Sequence, residues 1–499
     1  MCILGIQEGI KVKFLDSEQR KQVGFSFIID NLEIMTAFGI EEKKNIRPFK
    51  SSEENKLRDE FNNIEIMRNA LRKNEKAIGE IERVFCRVKD LRNTVKRCSE
   101  NITLDDVELY EIKYFSILME ELIEAYKSLK VNIKTIKFTS LNEVLRILDP
   151  EGKKIPTFYI YDSYSEILKN IRAEKRKLEE LIYKENNEEK IKLLKEERLN
   201  TVLLEEAEEL RIRRQLTESL SGYALILMEN IKSIGKLDFL MSKAKLTVKY
   251  NAVKPEIKDS MGISFKDMIN PEVTEHLARK NKIFTPLSIE LKNGTTVITG
   301  ANMGGKSIAL KTLVLNLMLG QCGFYVFAKE AQFPILNFIY FISDDLQSVS
   351  QGLSTFGAEI VKLKEVLSSI KKETGFVALD EFARGTNPKE GYYLVKSLCK
   401  YLNTQNSISL ISTHYDGTID DTMTHYQVVG LKNMDFNVLK TKINLNKMKS
   451  IDIIQEHMEY KLEMVSVQNE VPKDALNISI LLGLQEEVID IAKKFYVED

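Results

Sequence analysis

A short run near the middle of the chain has the residue types and spacing of a phosphate-binding loop. It reads Gly-Ala-Asn-Met-Gly-Gly-Lys-Ser and satisfies the pattern GxxxxGK[ST]. Glycines let the backbone turn tightly around an oxyanion, so that successive N–H groups point at it. Lys306 would put a positive charge against phosphate oxygens, and Ser307 would offer its hydroxyl to Mg²⁺. The residues expected to bind a nucleotide are Gly300, Asn302, Met303, Gly304, Gly305, Lys306 and Ser307.

The flanking sequence provides the context that this loop needs. The β-branched run 296–299 predicts a strand before it, and apolar residues at helical spacing from Lys306 predict a helix after it. A helix that begins at the loop adds the positive end of its dipole to the anion site. The alternative is a glycine-rich strand-to-helix turn with a capping serine, but the strand–loop–helix order favours phosphate binding.

Two acidic residues follow a second strand-like run. Phe376-Val377-Ala378-Leu379 is apolar throughout, and Asp380 and Glu381 come directly after it. In open α/β sheets ligands bind at the carboxyl ends of the strands, so these carboxylates are candidates for the same site. We expect Asp380 to orient Mg²⁺ and Glu381 to polarise the water that attacks the γ-phosphate. The alternative is a solvated acidic loop.

A third strand-like run, 407–412, leads to His414, one of four histidines in the chain. A histidine at this position could donate a hydrogen bond to the γ-phosphate and so respond to its loss. A lone histidine more often has a structural role, so the motif by itself leaves both interpretations open.

Composition limits the class of protein. The chain has 499 residues, which favours more than one structural unit, and 73 basic against 74 acidic residues, which give a net charge of −1. A chain-wide polycation for nucleic acid is therefore excluded, and any such binding needs a local patch. The five cysteines never form CxxC pairs, which indicates a reducing, cytoplasmic location. No run is long and apolar enough to predict a membrane helix.

The pattern predicts a multidomain chain: an all-α core and a helical-hairpin lever, followed by an α/β phosphate-loop ATPase domain. Helical spacing with few breakers covers the first third of the chain, and strands alternate with helices after about residue 245. The expected segments are a helical core at 1–155, a lever hairpin at 156–245, an ATPase domain at 246–465 and a C-terminal helical segment at 466–499.

The lever is predicted from two charged helical stretches with a reversal at Asn186-Asn187. Two apolar seams are expected to pack against each other as in an antiparallel coiled coil. The first consists of Ile167, Ile171, Leu178 and Ile182, and the second of Leu199, Leu203, Ala207 and Leu210. One long solvated helix is the alternative.

Taken in order, these motifs resemble the MutS family of ATPases, with highest specificity over 285–416. The resemblance adds Asp344-Asp345-Leu346 and Ser412-Thr413-His414-Tyr415 to the pattern. It implies ATP and Mg²⁺ as ligands, a homodimer that sandwiches ATP, and a γ-phosphate role for His414. It implies that Ser354, Thr355 and Phe356 form a signature loop that acts on the partner subunit's nucleotide. It also implies that Arg384, Gly385, Thr386 and Asn387 lie at the subunit interface.

The chain also departs from the mismatch-repair members of that family. Ala301 stands where a proline is usual, no Phe-x-Glu wedge occurs near the N-terminus, and the hairpin leaves no room for a DNA-clamping insertion. We also expect no nuclease-like extension after Asp499. The spacing between Leu346 and Ser354 is closer to the second MutS subgroup. Two partners therefore remain open for the arms: DNA in a repair or recombination role, or a protein. The protein case resembles compact MutS-like ATPases that reactivate cobalamin-dependent aminomutases such as lysine 5,6-aminomutase.

Overall fold

The computed structural model divides the chain into two compact units. One takes in the described parts of Met1–Leu32, Arg47–Asn62 and Leu246–Asp499, and the other takes in those of Glu33–Ile46 and Asn63–Lys245. The residues that the structure describes are 13–153, 158–300, 305–343, 355–430, 458–466 and 474–498. Within them, no helix combines the length and apolar character needed to cross a membrane.

The second unit is helical. Its helices are α3 (Ala37–Lys44), α4 (Glu54–Lys73, which begins in the first unit), α5 (Glu75–Phe85), α6 (Arg92–Ser99), α7 (Asp106–Ser128), α8 (Asn142–Leu148), α9 (Glu166–Lys184), α10 (Glu188–Ser221) and α11 (Ala224–Lys249, which ends in the first unit). Asp105 caps α7 in a capping box with Glu108. The buried face of α7 packs against α5 and α8 and includes Leu109, Ile112, Phe115, Leu118 and Leu122.

A buried carboxylate fixes α11 against the start of α3. Asp238 accepts hydrogen bonds from the Thr36 N–H and hydroxyl, both at 2.7 Å, and from the Met35 N–H at 3.1 Å. The helices meet so closely that a Cβ on Gly235 would lie 2.8 Å from the carbonyl oxygen of Phe38. Burial raises the pKa of Asp238, although the hydrogen bonds from Thr36 and Met35 oppose this shift.

Helices α9 and α10 form the expected antiparallel hairpin. The chain reverses after Lys184, and the Asn187 side chain caps α10. Arg172 of α9 joins the two helices, donating to Glu205 at 2.9 Å and to Glu209 at 2.7 Å, and it also pairs with Asp162. Its side chain is only 17% exposed. The hairpin is therefore held by a partly buried charge network as well as by apolar contact.

The second expected apolar seam does not pack in the hairpin. Leu199, Leu203 and Leu210 are 59%, 56% and 37% exposed, and Ala207 is exposed as well. The buried face of α10 instead consists of Thr201, Glu205, Glu208, Ile212, Leu216, Thr217 and Leu220. In the first seam Leu178 is buried, Ile171 and Ile182 are half-buried, and Ile167 is 59% exposed. The prediction of two facing apolar seams is wrong because charged side chains of α9 bond the polar face of α10.

The first unit contains two sheets. A four-stranded sheet has the order β1-β5-β2-β3, in which β1 and β5 are parallel and the other pairs antiparallel. Its strands are β1 (Glu256–Ile257), β2 (Gly262–Met268), β3 (Leu287–Lys292) and β5 (Glu330–Phe333). The helices α1 (Ser17–Gln22), α2 (Phe25–Asp30) and α12 (Pro271–Arg279) belong to the same unit.

The six-stranded sheet has the order β10-β9-β4-β8-β7-β6 and is parallel except for β10. Its strands are β4 (Gly294–Thr299), β6 (Ile339–Ser343), β7 (Phe376–Asp380), β8 (Ile408–Ser412), β9 (Thr424–Gly430) and β10 (Glu459–Met464). Strands β4, β7 and β8 are buried along their whole length, which explains why they read as continuous rather than alternating runs.

Helices cover this sheet. They are α13 (Lys306–Gln321), α14 (Thr355–Ile370) and α15 (Pro388–Asn403), and α16 (Asp474–Leu481) and α17 (Glu486–Glu498) follow near the end of the chain. Helices α14 and α15 share a buried cluster with the strands that includes Leu363, Val366, Val377, Leu379, Val395 and Leu402. The structure thus has a helical unit and a mixed α/β unit, as the sequence predicts.

The charge network predicts that Arg172 stabilises the hairpin. Arg172→Met keeps the length of the side chain but leaves Glu205 and Glu209 without their guanidinium partner. We expect the free energy of local opening of α9 and α10 to fall by about 2 kcal/mol. Amide hydrogen exchange of the two helices measures it. Arg176→Met is the matched control, because Arg176 is 67% exposed and lies 3.6 Å from Asp162. Equal protection in the two variants would contradict the prediction.

Candidate functional site

The ends of three neighbouring parallel strands meet at one edge of the six-stranded sheet. Strand β8 lies between β4 and β7, and its last residue, Ser412, is in register with Ile298 of β4 and with Asp380 of β7. The loop after β4 begins one residue beyond Thr299, so the glycine-rich loop and the two acidic residues are brought to the same edge. Because of this register, the residues that follow β4, β7 and β8 lie close together at one edge of the sheet.

Two glycines of the β4–α13 loop have backbone conformations that other residues rarely adopt. Gly300 has a φ of +138°, and Gly305, immediately before α13, has a φ of +87°. Neighbouring side chains add a second constraint, since a Cβ on Gly300 would lie 3.0 Å from Val428 and one on Gly305 would lie 3.0 Å from the ring of Tyr460. Glycine at both positions therefore has a conformational and a steric reason.

Lys306 is buried at the start of α13. Its Nζ donates to the Gly300 carbonyl oxygen at 2.7 Å and lies 3.4 Å from a carboxylate oxygen of Glu381. Burial lowers the pKa of Lys306, and the attraction of Glu381 opposes that shift. The lysine thus lies between the Gly300 carbonyl at the end of β4 and the carboxylate of Glu381 after β7.

Asp380 is buried and bonded to two hydroxyls. Its Oδ1 accepts hydrogen bonds from Ser412 at 2.7 Å and from Ser307 at 3.1 Å. Burial raises the pKa of this carboxyl above its ordinary value, although both hydroxyls oppose the shift. A carboxylate and a hydroxyl are the oxygen ligands that Mg²⁺ prefers, so Ser307 and Asp380 fit a magnesium site.

Glu381 is held between two cations. Its second carboxylate oxygen accepts from Arg384 at 2.8 Å, while the first faces Lys306. Its φ of +48° and that of Ala383, +63°, lie in the left-handed region, which costs backbone strain for residues other than glycine. The buried Glu359 of α14 stabilises this turn, because its carboxylate accepts from the Ala383 N–H at 3.1 Å.

His414 lies two residues beyond β8 and is half-buried, with its ring centroid 4.2 Å from that of Tyr415. Burial lowers its pKa, and the nearby charge of Glu381 opposes the shift while those of Lys306 and Arg384 reinforce it. These charges place His414 in the electrostatic surroundings of the same strand ends.

The remaining residues expected at the site are placed as follows. Asn302, Met303, Gly304 and Ser354 lie outside the described residues. Thr355 begins α14, and Phe356 packs against the buried cluster beside the sheet. Gly385 and Thr386 lie in the turn before α15, whose N-terminus is capped by the Asn387 side chain.

The sequence assigned no role to two residues of the arrangement, of which Ser412 appears there only as part of the motif 412–415. Ser412 bonds Asp380 and also accepts from the Glu381 N–H at 2.9 Å, and Glu359 supports the following turn. The position of Ser412 at the end of a strand-like run was a usable signal. Nothing in the sequence distinguishes Glu359 from the other acidic residues of helical stretches.

Comparison with known proteins finds similarity to the MutS family over the part of the chain that contains this site. Residues 296–482 match the family model for MutS domain V. The chain is 30% identical to the endonuclease MutS2 of Acetivibrio thermocellus over 296 residues, which are 59% of this chain and 34% of that protein. It is 27% identical to the endonuclease MutS2 of Caldanaerobacter subterraneus subsp. tengcongensis over 471 residues, 82% of this chain and 56% of that protein.

A third relative, the endonuclease MutS2 of Ligilactobacillus salivarius, is 34% identical over 44% of this chain and 27% of its own length. The chain thus spans between about a quarter and just over half the length of these curated relatives. The match over residues 296–482 supports the resemblance to MutS-family ATPases, and the similarity to MutS2 proteins agrees with the subgroup indicated by the spacing before Ser354.

The burial of Asp380 predicts a conflict between stability and function. Because its pKa is raised on folding, the ionised carboxylate destabilises the folded state above the pKa of the unfolded chain, and this effect vanishes in acid. Asp380→Asn keeps an oxygen acceptor for Ser412 and Ser307. We expect the variant to be more stable by about 1 kcal/mol near pH 7 and to lose that advantage below about pH 4.

Thermal or urea unfolding followed by circular dichroism over a pH series measures this difference. Asp420→Asn is the control of opposite sign, because the Thr422 hydroxyl and nearby lysines lower the pKa of Asp420. That variant is expected to be less stable than the wild type at neutral pH. A destabilised Asp380→Asn protein would show that the hydroxyls outweigh the cost of burying the charge.

Proposed function

We propose that this protein is a Mg²⁺-dependent MutS-family ATPase with a DNA-related role. The observation that carries the proposal is the hydrogen-bonded set at the strand ends, in which Ser307, Ser412 and Asp380 meet beside Lys306 and Glu381. Its residue types are those that nucleotide hydrolysis needs: a loop for phosphate, a lysine, oxygen ligands for a cation and a carboxylate.

In this proposal, the backbone of residues 300–306 binds the phosphates of ATP, and Lys306 turns from the Gly300 carbonyl towards the β- and γ-phosphates. Ser307 and Asp380 hold Mg²⁺. When bound, the ion neutralises charge that develops on the phosphate oxygens. The Asp380 carboxylate, whose pKa burial raises, would gain a positive partner at this position.

Glu381 is the proposed group that orients and polarises the attacking water. In the structure its two carboxylate oxygens face Lys306 and Arg384, so Glu381 becomes available once phosphate competes for the lysine. His414 would donate a hydrogen bond towards the γ-phosphate. The lowered pKa keeps the imidazole neutral near pH 7, and a neutral imidazole retains one N–H donor.

Dimerisation completes the proposed mechanism. The signature residues Ser354, Thr355 and Phe356 would reach the partner subunit's nucleotide, and residues 384–387 would lie at the interface. Nucleotide state would then control closure of the dimer and movement of the hairpin arms. We retain the segments 1–155, 156–245, 246–465 and 466–499 as the proposed functional division.

Site substitutions test the ATPase. Lys306→Ala removes the phosphate charge and is expected to abolish nucleotide binding. Glu381→Gln keeps the shape and removes the carboxylate, so that ATP binds while turnover falls by about 10²-fold or more. Steady-state phosphate release measures turnover. Normal hydrolysis by both variants would refute the proposed site.

Nucleotide binding can be followed separately because the chain contains no tryptophan. Tyr460 is half-buried with its ring against Gly305, so Tyr460→Trp places a single fluorophore beside the start of α13. The tryptophan emission should change on addition of MgATP. The double variant Lys306→Ala/Tyr460→Trp should show no such change. Tyr183→Trp is the control, since Tyr183 is 90% exposed on α9.

The partner of the arms requires its own test. A DNA-related role follows from the similarity to MutS2 proteins. Several arm cations are nevertheless bonded to carboxylates within the hairpin: Arg172 to Glu205 and Glu209, Arg198 to Glu179, and Arg211 to Glu208. This pairing leaves those cations less available to DNA phosphates, and it is the reason to keep a second candidate, in which the arms bind a protein such as a cobalamin-dependent aminomutase.

We expect duplex DNA to bind, with an affinity that falls steeply as salt rises, because phosphate contacts release counterions. A gel-shift series over salt concentration, with and without ATP, measures the slope. The variant Lys192→Gln/Lys195→Gln removes two charges at exposed positions of α10. If the arm contacts phosphates, the slope of log K against log salt concentration should become shallower by about two. No binding at low salt would reject the DNA role and leave the protein partner.

A further inference from the structure

A buried histidine lies behind the candidate site and has no role in the chemistry proposed above. His425 is the second residue of β9 and is 2% exposed. Its Nε2 lies 2.7 Å from the Thr299 hydroxyl, and its Nδ1 lies 3.3 Å from the carbonyl oxygen of Ser466. The ring therefore joins β4, β9 and the segment that follows β10.

These two partners assign the tautomer of the imidazole. The Ser466 carbonyl oxygen can only accept, so Nδ1 carries the proton and donates to it. In a neutral ring Nε2 then has a lone pair, and it accepts from the Thr299 hydroxyl. In this neutral form the Nδ1–H donates to Ser466 and the Thr299 hydroxyl donates to Nε2, so each of the two hydrogens has an acceptor.

Thr299 connects this histidine to the loop. It is the last residue of β4, is fully buried, and directly precedes Gly300 with its φ of +138°. The carbonyl oxygen of Gly300 accepts from Lys306 at 2.7 Å. Thr299 is thus the residue immediately before Gly300, whose carbonyl oxygen bonds the Lys306 ammonium group.

We infer that His425 is a positioning residue of the phosphate-binding loop: its neutral imidazole holds Thr299, and its protonation weakens nucleotide binding. This inference rests on the proposed function. On protonation Nε2 becomes a donor, so the Thr299 hydroxyl has to accept from it, and the hydroxyl proton loses its partner. The end of β4 then has to rearrange or leave a buried cation beside the loop.

The surroundings of the ring favour the neutral form. Strand β4 presents the Thr299 hydroxyl and the segment after β10 presents the Ser466 carbonyl, and no carboxylate of the described residues contributes to its pKa. Burial lowers the pKa of His425, and the hydrogen bond to Ser466 opposes this shift. Neutral His425 therefore predominates near pH 7, and the loop is affected only in acid.

Calorimetric titration with MgADP from about pH 7.5 to about pH 5 tests the inference. If the protonated form does not bind, the dissociation constant rises about tenfold for each pH unit below the pKa of His425. His414 and the ligand also titrate in this range, so the informative quantity is the difference between variants. Thr299→Ser keeps the hydroxyl, whereas Thr299→Val keeps the shape and removes it.

We expect Thr299→Ser to follow the wild-type pH profile, and Thr299→Val to bind more weakly at neutral pH and with a shallower acid dependence. His425→Gln cannot titrate and should show the same shallow profile. His276→Gln, at an exposed position of α12, should behave as the wild type. Equal profiles for Thr299→Ser and Thr299→Val would overturn the inference, whereas absence of MgADP binding by the wild type at every pH would refute the proposed function itself.

Discussion

The carboxylate of Asp380, buried at the end of β7, is the constraint around which the α/β unit is built. A buried charge is unfavourable unless polar groups or a cation compensate it. Here the two hydroxyls come from different elements, Ser412 from β8 and Ser307 from α13. Both reach Asp380 because β8 lies between β4 and β7 in parallel register. The strand order and the start of α13 thus bring two hydroxyls from different elements to one buried carboxylate.

The sequence predicted those parts of the site that are contiguous. The strand–loop–helix unit around Lys306 and the acidic pair after β7 each lie within a few residues, so local spacing identified them. The contacts between them are long-range. The Ser412–Asp380 bond spans 32 residues and the Thr299–His425 bond spans 126, and only the strand order determines which of these side chains meet. Periodicity contains no such information, which is why Glu359 and His425 could not be assigned from it.

Helix α10 shows a different limit of sequence patterns. Its apolar spacing correctly indicates a helix, but it does not say which face packs. The face that contacts α9 includes Glu205 and Glu208, because Arg172 and Ser165 supply partners for these carboxylates. Because the face with Glu205 and Glu208 is turned towards α9, Leu199 and Leu203 on another face of α10 are exposed. A pattern based on hydrophobicity alone ranks the two faces in the wrong order whenever charge pairing between helices satisfies the polar one.

The charges at the strand ends also imply an order of events under the proposed function. Lys306 and Arg384 face the carboxylate of Glu381, and the four ionisable groups Lys306, Asp380, Glu381 and Arg384 carry no net charge when all are ionised. A carboxylate whose two oxygens both face cations is already occupied and cannot orient a water. A triphosphate competes for Lys306 through several oxygens, so its arrival weakens one of those pairs before water can be activated. Arg384, which is half exposed, holds the other, and a second subunit that contacts Arg384 would release it. Binding, closure and hydrolysis would then follow in that sequence because each step removes one cation from Glu381.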